Sequence, residues 1–506
     1  MSTFNTVYHA LVDTVGRRPS APALRSLSRT FTYAELMDCV NCAAERLRDI
    51  GIEQGDVFAV FAQNCAEILF CYYAAAKLGA VYVPINPNMT SSEVRYIVGH
   101  CGAKRLFHDE YCAEVAAQAV ELQHLSPLVD LARASGPASS SIDPTPTSPH
   151  DDFLIIYTSG TTGTPKAVLL DHDAQVAVCE SLIRMWALTD RDITIVALPL
   201  GYLYGLSTAA AVSLGAGGMV VILPKFRPDD VLEALLRFRG TVFHGVPTMF
   251  TMMLEYGRQN DVHRDLSGVR QLISAGAPLL EETVERFRAQ FNGRLQNYYA
   301  ATECTPIFGA YADDLSLAPQ GAIGRKAPGT SVKVLDRVGN ECGPGVDGEL
   351  FVRAPATMKG YFKDPVQTAA SLKDGWFATG DLGHFDGNGY YYLTGRIKEI
   401  IIRGGANIAP AEVEAVLAAH PAVQEIAVLG APDSIFGEVP VAFVVFRPQS
   451  AASAEELQHY AAASLAEFKV PRHFAFVNGL PIGKTGKVDK NALRKQWTDS
   501  HQAAAR

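Results

Sequence analysis

The chain has 506 residues, of which 48% are hydrophobic, and a formal net charge of −9 at pH 7. This length is too great for one hydrophobic core and predicts about three folding units. The negative net charge argues against nucleic acid or an anionic membrane as the main partner, although it still allows a local basic pocket.

The cysteines and the apolar stretches predict where the protein resides. Nine cysteines are scattered along the chain, and an odd, scattered set is typical of free thiols in a reducing cytoplasm. The N-terminus carries no secretion signal, and the longest apolar stretch, 208–224, is interrupted by three glycines. We therefore expect a soluble, cytoplasmic protein without membrane insertion, whose oligomeric state stays open.

The first part of the chain alternates amphipathic helices with short apolar strands. Helices are predicted over Tyr33–Asp49 and 65–78, and strands over 57–62 and 80–83. Such alternation indicates βαβ units and a parallel sheet. A Ser-, Pro- and Ala-rich tract, 134–151, then predicts an exposed connection leading into a strand over 153–157.

The rest of the chain changes in character twice. Strands with helices between them are predicted at 193–198, 219–223, 241–245 and 271–274, followed by a small β subdomain with strands at 332–335, 348–352 and 389–394. Past 398 a compact α/β pattern follows, with strands at 399–402, 426–431 and 439–446 and helices at 409–418 and 454–465. The predicted fold class is α/β, with an N-terminal domain over 1–397 and a smaller C-terminal domain over 398–506.

One loop after the strand 153–157 has the composition of a phosphate-binding loop. Segment 157–166 (Tyr-Thr-Ser-Gly-Thr-Thr-Gly-Thr-Pro-Lys) combines five Ser/Thr hydroxyls, two glycines and one lysine. Glycines allow several backbone N–H groups to face one anion, while hydroxyls and the lysine add hydrogen bonds and charge. It is not a P-loop, because Pro165 stands where that motif has glycine, and a polar surface turn is the alternative. The predicted phosphate-binding residues are Thr158, Ser159, Gly160, Thr161, Thr162, Gly163 and Lys166.

Four later segments combine small residues with charged ones. They are 299–303 (Tyr-Ala-Ala-Thr-Glu), 376–381 (Trp-Phe-Ala-Thr-Gly-Asp), 395–398 (Gly-Arg-Ile-Lys) and 480–487 (Leu-Pro-Ile-Gly-Lys-Thr-Gly-Lys). Together with the loop 157–166, they resemble the motifs of the acyl-adenylate-forming superfamily, which comprises acyl-CoA synthetases, adenylation domains and luciferases. The resemblance extends from about residue 30 to about residue 495.

The resemblance implies ATP and Mg²⁺ as cofactors and assigns roles at the nucleotide. Tyr299 stacks on adenine, Thr302 contacts the α-phosphate, and Glu303 holds the metal, because magnesium favours carboxylate and phosphate oxygens together. Asp381 accepts hydrogen bonds from both ribose hydroxyls and Arg396 completes the contacts. Each motif alone also suits a common turn, helix start or solvated charge. Further nucleotide contacts are predicted at Gly276, Ala277, Pro278, Asn297 and Tyr298.

The resemblance also assigns residues near the C-terminus to two reaction steps. Lys487 bridges the attacking carboxylate and the α-phosphate, with Thr302 and Glu303 as its catalytic partners, whereas Lys484 in the same motif is solvated. Lys398 is the hinge about which a mobile C-terminal domain rotates. The rotated domain receives CoA through contacts predicted at Gly404, Gly405, Phe436, Lys469 and Arg472.

Three departures from the family pattern bear on the acid. Tyr202 replaces a gate histidine and cannot carry a charge near pH 7, while Ala300, in place of the usual glycine, implies a pocket open beyond two carbons. Segment 201–205 has no Asp to pair with a substrate ammonium, which disfavours amino acids. A neutral aromatic or short-to-medium aliphatic acid is expected, in a pocket formed by Tyr202, Val246, Met249, Ala275, Ala300 and Thr305.

The predicted function is that of a two-step acid–thiol ligase. A carboxylic acid attacks ATP to give acyl-AMP and pyrophosphate, and a thiol, CoA in the first interpretation, then takes the acyl group. The alternative acceptor is the phosphopantetheine of a carrier protein. Two other classes, a luciferase-type oxidase and a silent nucleotide-binding regulator, remain as rivals, although the joint presence of Glu303, Asp381 and Lys487 argues against the regulator.

Overall fold

The computed structural model describes residues 3–26, 29–132, 143–158, 165–313, 318–433, 435–483 and 487–504. Four sheets organise these residues. Two large sheets face each other across a shared layer of helices, a third sheet follows them in the chain, and a fourth stands at the C-terminus. The α/β fold class predicted from the sequence is confirmed, and among the described residues no helix is long and apolar enough to cross a membrane.

The first sheet has a parallel centre and antiparallel edges. Its centre runs parallel from Leu295–Ala301 to Pro22–Ser26, so the carboxyl ends of these strands meet at one edge, where open α/β sheets bind ligands. The strands in spatial order are Arg325–Lys326, Cys304–Gly309, Leu295–Ala301, Gln271–Ala275, Val242–Gly245, Ile193–Val196, Met219–Ile222, Pro22–Ser26 and Arg29–Thr32, with Ala356–Thr357 beside Cys304–Gly309.

The second sheet carries the hairpin on which the predicted phosphate loop stands. Asp152–Thr158 and Lys166–Asp171 pair antiparallel, with Thr158 opposite Lys166 at the open end. The strands in spatial order are Gly360–Tyr361, Lys166–Asp171, Asp152–Thr158, Val81–Ile85, Val57–Phe61, Arg105–His108 and Leu125–Pro127.

Helices form three layers around these two sheets. Ala66–Leu78 lies between them, where Phe70 meets Phe31 of the first sheet and Tyr72 meets Phe153 of the second. This position explains why nearly every residue of that helix is buried. The remaining helices are Val7–Arg17, Tyr33–Asp49 and His172–Met185 in the same layer, Pro228–Arg237, Pro247–Gln259 and Glu281–Phe291 outside the first sheet, and Ser91–Cys101 and Ala113–Ala119 outside the second.

Shorter helical segments complete this part of the chain. Tyr204–Ala211 is a π-helix that continues into the α-helical turn Val212–Gly215. Gly201 and Gly205 fix its start, since a Cβ on Gly201 would lie 2.6 Å from the Asn86 backbone and one on Gly205 2.5 Å from the Pro199 carbonyl oxygen. The other short segments are Val129–Ala132, Pro365–Ser371 and the 3₁₀ turns Leu122–His124, Ile397–Glu399 and Glu467–Lys469.

The third and fourth sheets correspond to the predicted β subdomain and C-terminal α/β unit. The third contains Ser331–Leu335, Gly348–Arg353, Trp376–Phe385, Leu372–Lys373 and Tyr391–Arg396. The fourth contains Ala406–Ile408, Ile401–Arg403, Gly437–Phe446, Val423–Asp433 and His473–Phe476. Its faces are covered by Pro410–Ala418 and Ala454–Ala462 on one side and by Lys490–Ala504 on the other.

Most predicted elements occur within a few residues of their expected ends. Tyr33–Asp49 is a helix over the predicted range, begun by a capping box between Thr32 and Glu35. The segment 376–381 differs, because it lies inside the strand Trp376–Phe385 and not in a turn. The strand expected at 399–402 begins later, at Ile401, because a 3₁₀ turn occupies Ile397–Glu399.

Candidate active site

Only the two ends of the predicted phosphate loop lie among the described residues. Thr158 ends one strand of the hairpin and Lys166 begins the other. The predictions at Ser159, Gly160, Thr161, Thr162 and Gly163 fall outside the described residues. The described end at Lys166 lies near Glu303, because Tyr361 contacts both residues.

Tyr361 links the loop lysine to the predicted metal-binding carboxylate. The Lys166 ammonium lies 4.8 Å from the centre of the Tyr361 ring, and the Tyr361 hydroxyl donates a hydrogen bond of 2.8 Å to Glu303 Oε1. Burial, followed by the nearby Glu303 charge, raises the pKa of Tyr361, so the phenol stays a donor at neutral pH. Glu303 Oε2 accepts no hydrogen bond from the residues that the structure describes and is therefore the oxygen open to a cation.

Changing Tyr361 to Phe tests this link. The ring and its contact with the Lys166 ammonium remain, whereas Glu303 loses the donor that orients it. We expect kcat/KM for ATP to fall about tenfold and the Mg²⁺ concentration for half-maximal rate to rise. Pyrophosphate release measured against Mg²⁺ checks this, with Tyr392→Phe in the third sheet as the matched control. An unchanged Mg²⁺ dependence would contradict the positioning role.

A second cluster forms around Asp381, the predicted ribose ligand. Asp381 is 3% exposed, and its carboxylate accepts hydrogen bonds from the Tyr299 hydroxyl and, at 2.6 Å, from Arg396 Nε. The Tyr299 ring stacks on Phe308. Three residues predicted from separate motifs thus meet because Tyr391–Arg396 pairs with Trp376–Phe385, placing Arg396 opposite Asp381.

Lys487 reaches this region from the C-terminal part of the chain. A Cβ built on Gly276 would lie 3.6 Å from Lys487 Cε and equally close to Val246 Cγ1. Desolvation, followed by the Arg396 charge, lowers the pKa of Lys487, while the charges of Asp381, Glu399 and Glu303 oppose the change. Lys487 is nevertheless exposed to solvent. Lys487 therefore lies between the nucleotide residues and the predicted acid pocket.

Except for Tyr298, the remaining predicted nucleotide residues are exposed or half-buried. Gly276 has a positive φ of 89°, which glycine adopts without strain, and it stays exposed directly after the strand Gln271–Ala275. Ala277 and Pro278 continue the same turn, and Thr302 is half-buried beside Glu303. Asn297 donates a hydrogen bond to the Ala322 carbonyl oxygen.

The predicted acid-pocket residues gather on one face of the first sheet. Val246 and Ala275 stand at the carboxyl ends of adjacent parallel strands, and Tyr298 pairs with Ala275 on the next strand. The Tyr298 hydroxyl is hydrogen-bonded to that of Thr305 at 3.0 Å, so it points into the protein. Half-buried Tyr202, Met249 and Ala300 complete the predicted set, and burial raises the pKa of Tyr202 to about 12.

The predicted CoA residues fall into one cluster and one separate pair. Gly404 and Gly405 form the turn of a hairpin, and the Gly404 N–H donates to the Phe436 carbonyl oxygen at 2.7 Å. The guanidinium of Arg472 lies 4.9 Å from the Phe436 ring centre, as does that of Arg403. Lys469 instead forms an ion pair of 2.6 Å with Glu412.

The predicted hinge residue, Lys398, is exposed in the 3₁₀ turn Ile397–Glu399 between the third and fourth sheets. Beyond it, Arg447 forms an ion pair with Glu282, at the start of a helix outside the first sheet. This contact joins the C-terminal part of the chain to a helix on the face of the first sheet opposite the acid pocket, whereas Lys487 lies beside Gly276 and Val246 at the carboxyl ends of the strands.

Two residues at the site were missed in the sequence. Tyr361 lies 58 positions from its partner Glu303, and no motif spacing connects them. The sequence predicts His244 only as a residue of the strand 241–245. In the structure it lies on the same face of the sheet as the pocket residues Val246 and Ala275. The signal available was a polar residue in an otherwise apolar strand.

Comparison with known proteins places this arrangement in a family. Residues 11–362 match the AMP-binding enzyme family, and residues 412–487 match the AMP-binding enzyme C-terminal domain. The chain is 34% identical to an indoleacetate–CoA ligase of Aromatoleum aromaticum, covering 95% of this chain and 96% of that protein. It is also 34% identical to a feruloyl-CoA synthase of an Amycolatopsis species, with the same coverage.

A solved structure agrees over the whole length. The ATP-bound crystal structure of MatB from Rhodopseudomonas palustris superposes with a TM-score of 0.88 at 32% identity, covering 99% of both chains. The chain belongs to the AMP-binding enzyme family. It is an AMP-forming acid–thiol ligase, which activates a carboxylic acid with ATP and transfers the acyl group to a thiol.

Proposed function

We propose that the thiol is that of CoA and that the acid is an uncharged aryl acid activated with ATP and Mg²⁺. The observation that carries the proposal is the position of Lys487, beside Gly276 and Val246. There a cation can meet both the carboxylate from the acid pocket and the α-phosphate of a nucleotide bound at Tyr299 and Asp381. Bringing two anions together requires such a compensating charge.

In the adenylation step, this chain supplies binding and electrostatics. Asp381 and Arg396 hold the ribose, Thr302 and Lys166 contact phosphate oxygens, and Lys487 offsets the charge that builds up between the acid and the α-phosphate. Glu303 fits a magnesium site, because one of its carboxylate oxygens accepts no hydrogen bond from the described residues and Mg²⁺ would take its remaining ligands from phosphates and water. When bound, the metal shields the negative charge of the phosphates.

In the thioester step, we propose that the C-terminal domain, 398–506, rotates about Lys398 relative to the N-terminal domain, 1–397. The rotation withdraws Lys487 and brings the hairpin turn at Gly404 and Gly405 to the acyl-AMP. Arg472, which now lies over Phe436, is then available to CoA phosphates, and Phe436 to its adenine. Lys469 must first exchange its partner Glu412 for a phosphate.

Separate observations support an aryl acid as the substrate and the cytoplasm as the compartment. Tyr298 on the first sheet packs against Tyr204 of the π-helix and against Trp186, and these aromatic side chains suit a flat ring better than a flexible aliphatic chain. The relatives described above act on indoleacetate and ferulate, which are aryl acids. All nine cysteines are free thiols, which supports a reducing cytoplasm.

A two-stage assay tests the proposal. Purified protein with ATP and Mg²⁺ is given a panel of aryl and aliphatic acids, and pyrophosphate and AMP are measured. We expect aryl acids to react best and AMP to be the nucleotide product. Acyl-AMP formed in this way is then offered CoA or a phosphopantetheinylated carrier protein. Formation of ADP would refute the chemistry, preference for aliphatic acids would refute the aryl assignment, and exclusive transfer to the carrier would refute CoA.

A further inference from the structure

Four aromatic residues form a cluster on the face of the first sheet that carries the acid pocket. We call Trp186, Tyr204, His244 and Tyr298 the aromatic floor. The His244 ring centre lies 5.1 Å from that of Trp186 and 5.6 Å from that of Tyr204, and Tyr298 contacts the same two residues at 5.2 and 6.2 Å. Strand register places His244 two residues before the pocket wall Val246, and Tyr298 beside the pocket wall Ala275.

The register also gives the depth of the floor. His244 pairs with Ile273, so it shares a face with Ala275, two residues further along the same strand as Ile273. Val246 stands two residues beyond His244, which corresponds to about 7 Å along a strand. An acid whose carboxylate meets Lys487 near Val246 therefore directs its far end toward the floor. Tyr204 is half-buried, whereas the other three floor residues are at most 4% exposed, so the floor is most exposed at Tyr204.

Within this cluster, the polar atoms of His244 stand out. His244 is 1% exposed, and neither Nδ1 nor Nε2 has a hydrogen-bond partner among the residues that the structure describes. Burial lowers the pKa of His244 to about 3, so the ring is neutral at physiological pH, with one nitrogen as donor and the other as acceptor. Buried polar groups without partners are rare and call for an explanation.

The surroundings of His244 favour a ligand over a water molecule as the missing partner. A buried water is held by two to four polar groups, whereas the neighbours of His244 in the floor are aromatic rings. The Tyr204 hydroxyl lies 3.4 Å from the Gly245 carbonyl oxygen and 3.3 Å from that of Ile273, so it already has acceptors. A substituent carried on the acid itself needs no other support.

We propose that His244 is a specificity-determining residue that binds an uncharged hydroxyl or amino group at the far end of an aryl acid. This assignment rests on the proposed function and narrows its substrate class. A charged substituent is excluded by the same geometry, because a neutral imidazole among aromatic rings offers no counter-charge to a second carboxylate or an ammonium.

Matched acids test the proposal. Benzoic, phenylacetic and 3-phenylpropenoic acids are each supplied with hydrogen, methyl or hydroxyl at the para position, and kcat/KM is measured by pyrophosphate release with ATP and CoA. In the series that reacts best, we expect the hydroxyl acid to exceed the methyl acid at least about tenfold. His244→Leu is expected to bring this ratio to about one, while the rate with the methyl acid is kept or raised.

His172 provides the matched control. It is fully buried, its ring nitrogens likewise have no partner among the described residues, and it stacks on Phe153 of the second sheet, away from the floor. His172→Leu removes a comparable group and is expected to leave the hydroxyl-to-methyl ratio unchanged. His244→Phe serves as a second variant if His244→Leu does not fold, as judged by thermal unfolding.

The outcomes separate this proposal from the function on which it rests. The role of His244 is overturned if the wild-type enzyme has a hydroxyl-to-methyl ratio of kcat/KM below about two in every series that reacts. It is also overturned if this ratio is unchanged in His244→Leu. In both cases the proposed ligase activity is unaffected. If no acid of any series releases pyrophosphate while aliphatic acids do, the aryl assignment fails and the role of His244 fails with it. If neither variant folds, the wild-type ratio decides alone.

Discussion

Changing Lys487 to Ala is expected to lower acid-dependent ATP–pyrophosphate exchange by about two to three orders of magnitude. The change removes the cation that lies beside Gly276 and Val246, where we propose that the acid meets the α-phosphate. Thioester formation from supplied acyl-AMP should be largely retained, because the proposed domain rotation withdraws Lys487 in that step. The two half-reactions are measured separately, the first by isotope exchange and the second by release of AMP on adding CoA.

The control for this experiment lies in the same motif. Lys484 precedes Lys487 by three residues, and Lys484→Ala is expected to change either half-reaction by no more than about threefold. Equal loss of both half-reactions in Lys487→Ala would contradict the assigned role, since it would indicate a general disturbance of the C-terminal domain. Loss of exchange in Lys484→Ala, with Lys487→Ala unaffected, would assign the reaction to the other lysine.

Local patterns in the sequence were sufficient to predict most of the elements. Tyr33–Asp49 could be predicted because its apolar residues recur at helical spacing after the Thr32 cap. The strand predicted at 241–245 is found as Val242–Gly245, because a short apolar run between helical segments is typical of a buried parallel strand. Both features depend on neighbours in the chain, which the sequence displays directly.

The features that escaped prediction depend on contacts between distant segments. Gly201 precedes the π-helix Tyr204–Ala211 and Gly205 lies in its first turn, and they pack against the backbone of Asn86 and Pro199, respectively, which no local pattern reveals. Tyr361 reaches Lys166 and Glu303 because the two-residue strand Gly360–Tyr361 pairs with Lys166–Asp171. Such a short strand carries no periodicity of its own.

The nucleotide residues likewise were predicted individually from local motifs, whereas the contacts between them were not. The motifs predicted Tyr299, Asp381 and Arg396 as contacts to one ATP, and the structure joins the three directly by hydrogen bonds. Their mutual contacts could not be predicted, because they arise from the pairing of Trp376–Phe385 with Tyr391–Arg396 and from the approach of Tyr299 on the first sheet. The carboxylate proposed to bind the ribose is therefore already held in place by two donors.

Changing Asp381 to Ala is expected to lower kcat/KM for ATP by at least about two orders of magnitude, since two hydrogen bonds to a charged group contribute about 3 kcal/mol or more. The rate is measured by pyrophosphate release against ATP at saturating acid. Asp381→Asn keeps the shape of the side chain and serves where the alanine variant is unstable, because Asp381 is buried beside Arg396.

The nucleotide itself gives the sharpest test of Asp381. If the carboxylate binds the ribose hydroxyls, wild-type enzyme must discriminate against 2′-deoxy-ATP and 3′-deoxy-ATP, and Asp381→Ala must lose that discrimination. Tyr299→Phe removes one donor to the same carboxylate and leaves the ring stacked on Phe308, so it should retain the discrimination at a rate lowered about tenfold. Discrimination that persists in Asp381→Ala would place the ribose elsewhere, and the hydrogen bonds among Asp381, Tyr299 and Arg396 would then serve only to attach the third sheet to the first.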